Sequence, residues 1–171
     1  MMERKGAVTF QGNPLTLVGR EVRVGERAPD AELLANDLHP VKLSSYRGKI
    51  CVITTVPSLD TPVCDMETRR FNGEAGKLGS DVKVLAVSMD LPFAQKRWCG
   101  AAGVEWVETL SDHRDAHFGT EYGVLIKELR LLARAVFVLD REGVVRYEQF
   151  VKEMTQEPDY EAVLSAVKEL V

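Results

Sequence analysis

Apolar positions along the chain predict buried strands that alternate with helices. The segments "KICVITTVPS" and "DVKVLAVSMD" are almost entirely apolar or β-branched, a pattern typical of strands covered on both faces. Between them, residues from Pro62 to Leu78 carry apolar side chains at helical spacing, and Gly79 follows as a stop signal. The chain therefore predicts a strand–helix–strand unit in its first half.

Two further segments have the pattern of β-hairpins. "AVTFQGNPLTLVG" alternates apolar and polar residues on both sides of Gly12-Asn13-Pro14, and "RAVFVLDREGVVRYEQFV" joins two apolar runs through Arg141-Glu142-Gly143. "LPFAQKRWCG" predicts a short helix that ends at Gly100, and "PDYEAVLSAVKELV" predicts a C-terminal helix. This order predicts one α/β domain over residues 1–171: a thioredoxin-like fold with a mixed central sheet flanked by helices and an added N-terminal β-hairpin.

The composition is that of a globular protein and excludes several classes of function. Of 171 residues, 45% are hydrophobic and 28% charged, and the net charge is −4. Without a basic stripe, nucleic acid is not an expected partner, and no apolar run suits a membrane span. The N-terminus lacks the apolar stretch of a signal peptide, so a cytoplasmic location is expected. Three cysteines are an odd number for a disulfide-stapled secreted domain, and they indicate reactive, metal-binding or buried thiols.

Cys64 stands where the predicted strand gives way to the predicted helix. In the first helical turn, unpaired N–H groups and the positive end of the helix dipole favour a thiolate. Pro62 suits a helix start because its fixed φ is already helical. A cysteine can also be a small apolar core residue, but Asp60, Thr61 and Asp65 make this a polar turn. The position favours a reactive cysteine.

Thr61 occupies the position at which a dithiol redox protein has its second cysteine. A hydroxyl there removes the partner for a local disulfide, and it can donate to the thiolate while accepting from a substrate oxygen. This arrangement suits attack on the O–O bond of a peroxide. A plain role as the helix N-cap is compatible with the same residue.

Pro57, Thr61 and Cys64 form the pattern P-x-x-x-T-x-x-C, which resembles the peroxidatic motif of the peroxiredoxins. The segments "VPSLDTPVC", "LPFAQKRWCG", "LLARAVFVLD" and "VTFQGNPLTLVG" resemble the bacterial thiol peroxidase subfamily of that family. The resemblance runs from about residue 6 to the C-terminus, which is nearly the whole chain.

The resemblance implies a catalytic role for five residues. Cys64 is expected to attack the peroxide and become a sulfenic acid, with Pro57 shielding the pocket and Thr61 bonding the peroxide. Arg134 is expected beside the thiolate, although an arginine that enters a strand usually lies at the surface. Cys99 is expected to resolve the sulfenic acid as an intramolecular Cys64–Cys99 disulfide, which thioredoxin reduces. The resemblance also implies a homodimer and no metal, haem or flavin cofactor.

Several other residues have simpler interpretations. Cys51 lies in a predicted central strand and is expected to be buried. His113 and His117 do not complete a tetrahedral metal site, so no metal is expected there. Phe93, Trp98 and Met89 are candidates for the wall of the substrate pocket, but core packing explains each of them equally well.

Two observations show that the sequence determines the assembly and the class of function less closely than it determines the reaction of Cys64. Between "YGV" and "LLARA" the chain has only "LIKELR", shorter than is usual in the subfamily, and this predicts an altered pocket rim or dimer contact. A thiol–disulfide oxidoreductase is disfavoured because Cys64 has no partner cysteine at the usual spacing. A redox sensor or binding module shares the motif, and only catalytic turnover separates it from an enzyme.

Overall fold

The computed structural model describes residues 1–171 and contains eleven strands, four α-helices and one 3₁₀ helix at Leu43–Tyr46. The strands are β1 Glu3–Phe10, β2 Asn13–Val18, β3 Glu32–Leu34, β4 Pro40–Lys42, β5 Ile50–Thr55, β6 Val82–Ser88, β7 Val107–Ser111, β8 Leu125–Ile126, β9 Leu131–Leu132, β10 Ala135–Leu139 and β11 Val145–Phe150. The helices are α1 Pro62–Leu78, α2 Pro92–Ala102, α3 His117–Glu121 and α4 Tyr160–Leu170.

Seven strands form the central sheet in the order β11-β10-β5-β6-β7-β3-β4. The pairs β5–β6 and β6–β7 are parallel, and the other pairs in this sheet are antiparallel. The two parallel pairs are joined by α1 and α2, since a parallel connection needs a crossover element. The predicted thioredoxin-like fold with a mixed, helix-flanked sheet is confirmed.

The sheet has a separate hydrophobic layer on each face. One layer contains Phe71 of α1, Trp98 of α2 and Val163 of α4, packed against alternate residues of β5, β6 and β10. The other contains Phe118 of α3 and the remaining alternate residues of the same strands. Strand alternation therefore decides which residues share a face with the helix that carries Cys64.

The N-terminal hairpin β1–β2 belongs to a second, four-stranded sheet in the order β1-β2-β8-β9. The hairpin itself was predicted, but strands β8 and β9 were not. They form within the short "LIKELR" segment and its flanks, where two-residue strands are too short to show a period of two. The shortened connection thus extends the hairpin into a small sheet.

The bounds of α1 agree with the prediction, and those of α2 do not. Helix α1 spans Pro62–Leu78 as predicted, with Gly79 next to its last residue. Helix α2 continues through Gly100 to Ala102 and ends at Gly103, whose backbone is left-handed (φ 67°) and whose N–H bonds the Cys99 carbonyl. The helix stops at Gly103 because a glycine adopts this conformation without strain. None of the helices combines the length and the apolar character that a membrane crossing requires.

Candidate active site

Cys64 lies in the first turn of α1 and its side chain is fully buried. Thr61 is the N-cap residue in extended conformation, and its carbonyl accepts from the Asp65 N–H at 2.9 Å. The Thr61 side chain makes no capping hydrogen bond. Its hydroxyl donates to the Ser58 carbonyl at 2.9 Å, which leaves the hydroxyl lone pairs free to accept a hydrogen bond.

The loop before α1 is held by a carboxylate at the end of β6. Asp90 accepts from the Ser58 hydroxyl at 2.7 Å and from the Leu59 N–H at 2.8 Å. The Ser88 hydroxyl donates to the same carboxylate at 2.8 Å. The Ser58 carbonyl accepts from both the N–H and the hydroxyl of Thr61. Asp90 therefore fixes the loop between Pro57 and Thr61 through Ser58.

Arg134 enters the site from the segment just before β10, where Thr55 of β5 binds the backbone on both sides of it. The Thr55 hydroxyl donates to the Ala133 carbonyl at 2.6 Å and accepts from the Ala135 N–H at 3.0 Å. Such a bridge sets the direction of the residue in between. It aims the Arg134 side chain into the protein, where the side chain is only 2% exposed.

The Arg134 guanidinium joins three parts of the chain. Its Nη1 atom donates to Glu67 Oε2 of α1 and its Nη2 atom to the Met154 carbonyl, both at 2.8 Å. Burial lowers the pKa of Arg134, but its interactions with Glu67 and Cys64 outweigh burial, so this pKa lies above its usual value. Its Nε is buried and makes no hydrogen bond in this structure. The arginine is a permanent positive charge beside Cys64.

Glu67 is a fully buried carboxyl group one helical turn after Cys64. Burial raises its pKa to about 7, although Arg134 and the Thr54 hydroxyl at 3.3 Å both favour the charged form. Desolvation of a carboxylate outweighs a single ion pair when no water reaches the pair. Near neutral pH, Glu67 therefore neutralises Arg134 only in part.

An apolar pocket of about 350 Å³ lies at the start of α1, where Val63 lines it and the neighbouring Cys64 is buried behind its wall. Three of the five predicted site residues line it, namely Pro57, Thr61 and Arg134. Its other lining residues come from the helix start, the N-terminal hairpin, the β8–β9 turn and the loop after β11: Phe10, Pro62, Val63, Leu129, Leu131, Met154 and Thr155. A molecule in this pocket meets Arg134 and Thr61 at a mostly apolar wall.

The three candidates for the pocket wall, Phe93, Trp98 and Met89, do not line this pocket. Phe93 is 65% exposed on α2 and is not part of the lining. Trp98 packs in the core layer beneath α1 and Met89 against the opposite layer. The alternative of core packing holds for the last two, and the wall is built by segments distant in sequence.

The short segment before Arg134 contributes to the pocket rim. Its turn places Leu129 and Leu131 on the pocket, and Glu128 accepts from the Thr16 N–H at 2.8 Å to fix the turn against β2. On the opposite side, Glu153 accepts from the Gly12 N–H at 2.8 Å. The N-terminal hairpin is thus fastened to both segments that complete the wall.

Cys99 lies away from this pocket, in the last turns of α2. It is partly exposed, and its sulfur lies 3.4 Å from the Thr109 hydroxyl of β7. Cys64 and Cys99 are both free thiols, and each packs against the same core layer. The structure therefore groups four of the five predicted site residues and leaves Cys99 apart from them.

Cys51 and the two histidines have no part in this arrangement. Cys51 belongs to the core layer on the opposite face of the sheet from Cys64, and burial raises its pKa to about 11. His117 accepts from the Glu32 N–H at 3.3 Å. No group of three or more potential metal ligands occurs in the chain.

Sequence reasoning missed three residues that hold the site: Glu67, Asp90 and Thr55. Glu67 lies one turn after Cys64, so helical spacing gave a signal that both residues share a face. Asp90 and Thr55 act through contacts with segments distant in sequence, which no local pattern indicates.

Comparisons with known proteins show the family of the chain. The redoxin family model matches residues 23–164. The thiol peroxidase of Bacillus subtilis strain 168 is 58% identical over 96% of this chain and 98% of its own. The chain belongs to the bacterial thiol peroxidases of the redoxin family. A further thiol peroxidase, from Staphylococcus aureus strain MRSA252, is 53% identical over 95% of this chain and 98% of its own.

Solved structures show the same fold. A peroxiredoxin-like protein from Aquifex aeolicus matches with a TM-score of 0.91 and 47% identity, covering 97% of this chain and 98% of its own. The thiol peroxidase from Chromobacterium violaceum, at 23% identity, matches with a TM-score of 0.85 over 95% of both chains and supports the fold alone. The protein is thus a peroxidase that uses a thiol reductant, as predicted.

Replacement of Thr55 by valine tests how this thiol peroxidase positions Arg134. Thr55→Val removes the hydroxyl that donates to the Ala133 carbonyl and accepts from the Ala135 N–H, so we expect a loss of roughly 1–3 kcal/mol in unfolding free energy. We also expect slower peroxide reduction, because the Arg134 backbone loses its bridge. Urea unfolding and peroxidase rates measure both effects. Thr55→Ser keeps the hydroxyl and serves as the control, and a Thr55→Val variant with wild-type rates would contradict the assignment.

The raised pKa of Glu67 predicts a specific pH dependence of stability. Between its usual value of 4.5 and about 7, the folded protein holds a proton on Glu67 that the unfolded chain releases. Unfolding free energy therefore falls as pH rises through this interval, by an amount on the order of 3 kcal/mol from this group. Glu67→Gln cannot titrate, so its stability should fall less between pH 4.5 and 7.5. Equal falls in both proteins, measured by urea unfolding, would assign the dependence to other groups.

Proposed function

We propose that this protein reduces hydrogen peroxide and organic hydroperoxides through a Cys64 sulfenic acid. In this proposal Cys99 resolves the sulfenic acid as an intramolecular disulfide, and thioredoxin recycles the enzyme. One observation carries the proposal: an apolar pocket in which Pro57, Thr61 and Arg134 converge at the helix turn that contains Cys64.

The first step is attack of the Cys64 thiolate on the terminal oxygen of the peroxide. The S–O bond forms while the O–O bond breaks, and the leaving alkoxide or hydroxide takes up a proton. Arg134 stabilises both the thiolate and the negative charge that develops on the breaking O–O bond. The Thr61 hydroxyl, fixed by Ser58, is available to accept from the protonated peroxide oxygen. Pro57 is buried and closes the site to bulk water.

In the second step the Cys99 sulfur attacks the sulfur of the Cys64 sulfenic acid. The S–S bond forms, the S–O bond breaks, and the oxygen leaves as water with the proton of the Cys99 thiol. Cys51 is an unsuitable resolving residue, since it is buried on the other face of the sheet and its pKa is raised to about 11. Cys99 is partly exposed near the end of a helix, where local unwinding costs little.

The remaining parts of the proposal rest on the family resemblance. They are a thioredoxin reductant, a homodimer, a cytoplasmic location, a single domain over residues 1–171 and chemistry that needs no bound cofactor. A steady-state assay with hydroperoxide, thioredoxin, thioredoxin reductase and a nicotinamide donor tests the recycling step. Turnover in this assay separates the enzyme from a redox sensor. Turnover with other dithiols but not with thioredoxin would show that thioredoxin is not the reductant.

Cysteine substitutions test the assigned steps. Cys64→Ser is expected to abolish peroxide consumption, because no other residue provides an activated thiolate. Cys99→Ser is expected to consume one equivalent of peroxide and then stop, with Cys64 prone to further oxidation. Cys51→Ser is the matched control and is expected to keep turning over.

Peptide mapping of the oxidised wild-type protein identifies the disulfide directly. One equivalent of peroxide should give a Cys64–Cys99 bond, with Cys51 free and the chain monomeric on a non-reducing denaturing gel. A Cys51–Cys64 bond, or a covalent dimer as the main product, would remove Cys99 from the mechanism.

The apolar pocket predicts a preference for organic hydroperoxides. Each buried methylene contributes roughly 0.8 kcal/mol, so a medium-sized organic group gives a tenfold to hundredfold preference over hydrogen peroxide. Leu129→Ala shortens the wall and should lower kcat/KM for cumene hydroperoxide while leaving the value for hydrogen peroxide unchanged. Leu91→Ala, at an exposed leucine outside the pocket, is the control. Equal losses for both peroxides in Leu129→Ala would argue against substrate contact with this wall.

A further inference from the structure

A hydrogen bond joins the residue after Cys64 to the residue before Cys99. Trp98 Nε1 donates to Asp65 Oδ1 at 2.7 Å, a short distance typical of a charged acceptor. Trp98 is 9% exposed, so water competes weakly for its N–H. The bond links the first turn of α1 to the last turns of α2, the two segments that carry the reactive cysteines.

Arg69 contacts Asp65, Trp98 and the end of α2, and so strengthens the link between the two helices. Its Nε donates to Asp65 Oδ2 at 2.9 Å, and its Nη1 donates to the Ala102 carbonyl at 3.3 Å. Its guanidinium carbon lies 5.9 Å from the centre of the Trp98 ring. Ala102 is the last residue of α2, where carbonyl groups lack partners within the helix. We call Asp65, Arg69, Trp98 and the Ala102 carbonyl the interhelix clasp.

Disulfide formation requires the clasp to open. In the reduced protein Cys64 is buried beside Arg134, whereas the Cys99 sulfur lies against the Thr109 hydroxyl. A disulfide needs the two Cα atoms within roughly 7 Å and the side chains turned toward each other. Both cysteines lie within helices next to Asp65 and Trp98. We therefore expect one of the two helix ends to unwind before the cysteines meet, a movement that displaces the adjoining Asp65 or Trp98.

We propose that the interhelix clasp sets the rate at which the Cys64 sulfenic acid is resolved. The inference rests on the proposed role of Cys99. While the clasp is closed, α1 and α2 stay folded and the pocket is formed for peroxide. Opening precedes attack by Cys99, so Asp65 and Trp98 are positioning residues for the second step. They take no part in the first.

The clasp thereby controls what fraction of the Cys64 sulfenic acid forms the disulfide and what fraction is oxidised further. Resolution releases water and forms the Cys64–Cys99 bond. If the clasp stays closed, a second hydroperoxide transfers an oxygen atom to the sulfenic sulfur, which gives the sulfinic acid and one molecule of alcohol or water. A tighter clasp favours overoxidation, and a weaker clasp favours the disulfide.

Trp98→Phe tests this directly, because it keeps an aromatic ring in the core and removes the N–H donor together with part of the ring volume. We expect disulfide formation to become roughly tenfold faster, the factor that corresponds to one charge-assisted hydrogen bond. The peroxide-dependent first step should be unchanged. Rapid acid quenching, thiol alkylation and mass spectrometry give both rates and the fraction of sulfinic acid at rising hydrogen peroxide concentrations.

Two further variants distinguish the loss of the Asp65–Trp98 hydrogen bond from a general loss of stability. Asp65→Asn keeps an acceptor but removes the charge, so we expect a smaller acceleration of the same step. Trp106→Phe is the matched control: Trp106 is 60% exposed and stands outside the clasp, and we expect wild-type rates. In the Trp106→Phe protein, Trp98 is the one remaining tryptophan, and its fluorescence should change at the rate of disulfide formation.

Each outcome has one interpretation. Faster resolution with less sulfinic acid in Trp98→Phe and Asp65→Asn supports the clasp. Wild-type or slower resolution in both variants overturns it, even if the Cys64–Cys99 disulfide forms normally. Absence of that disulfide from the oxidised wild-type protein, checked first by peptide mapping, means that the proposed function itself has failed at Cys99.

Discussion

The buried guanidinium of Arg134 is the interaction on which the site depends. It binds Glu67 on the helix that carries Cys64 and the Met154 carbonyl in the loop after β11. An arginine without partners is very costly to bury. The buried position of Arg134 therefore requires α1, the loop after β11 and the segment before β10 to meet at one point. The same contact brings a permanent positive charge to Cys64.

The fold supplies this meeting point through strand order. Strand β10 pairs with β5, which ends at the loop leading to Cys64, so Thr55 and Arg134 are neighbours although distant in sequence. Asp90 at the end of β6 holds the same loop from the other side. Adjacent strands of the central sheet thus position both the nucleophile and the charge beside it, while the smaller sheet closes the pocket over them.

The site combines two parts with opposite mechanical requirements. The pocket around Arg134 is held by buried hydrogen bonds and suits a step that needs fixed geometry. Cys99 lies near the end of α2, where one glycine ends the helix and a few polar contacts join it to α1. Under the proposed mechanism the protein first holds its nucleophile and then exposes it to a second thiol, and these two requirements are divided between two helices.

The sequence by itself determined the local features. These are the start of α1 at Pro62, the thiol in its first turn, the alternation of buried strands and, through the family motif, the importance of Arg134. Only the tertiary structure decided which groups surround them: Glu67 as the partner of Arg134, the Met154 carbonyl, and a pocket wall that includes Leu129 instead of Phe93. The reason is physical. Helix caps and strand periods act within a few residues, whereas ion-pair partners and cavity walls depend on strand order and register, which bring distant segments together.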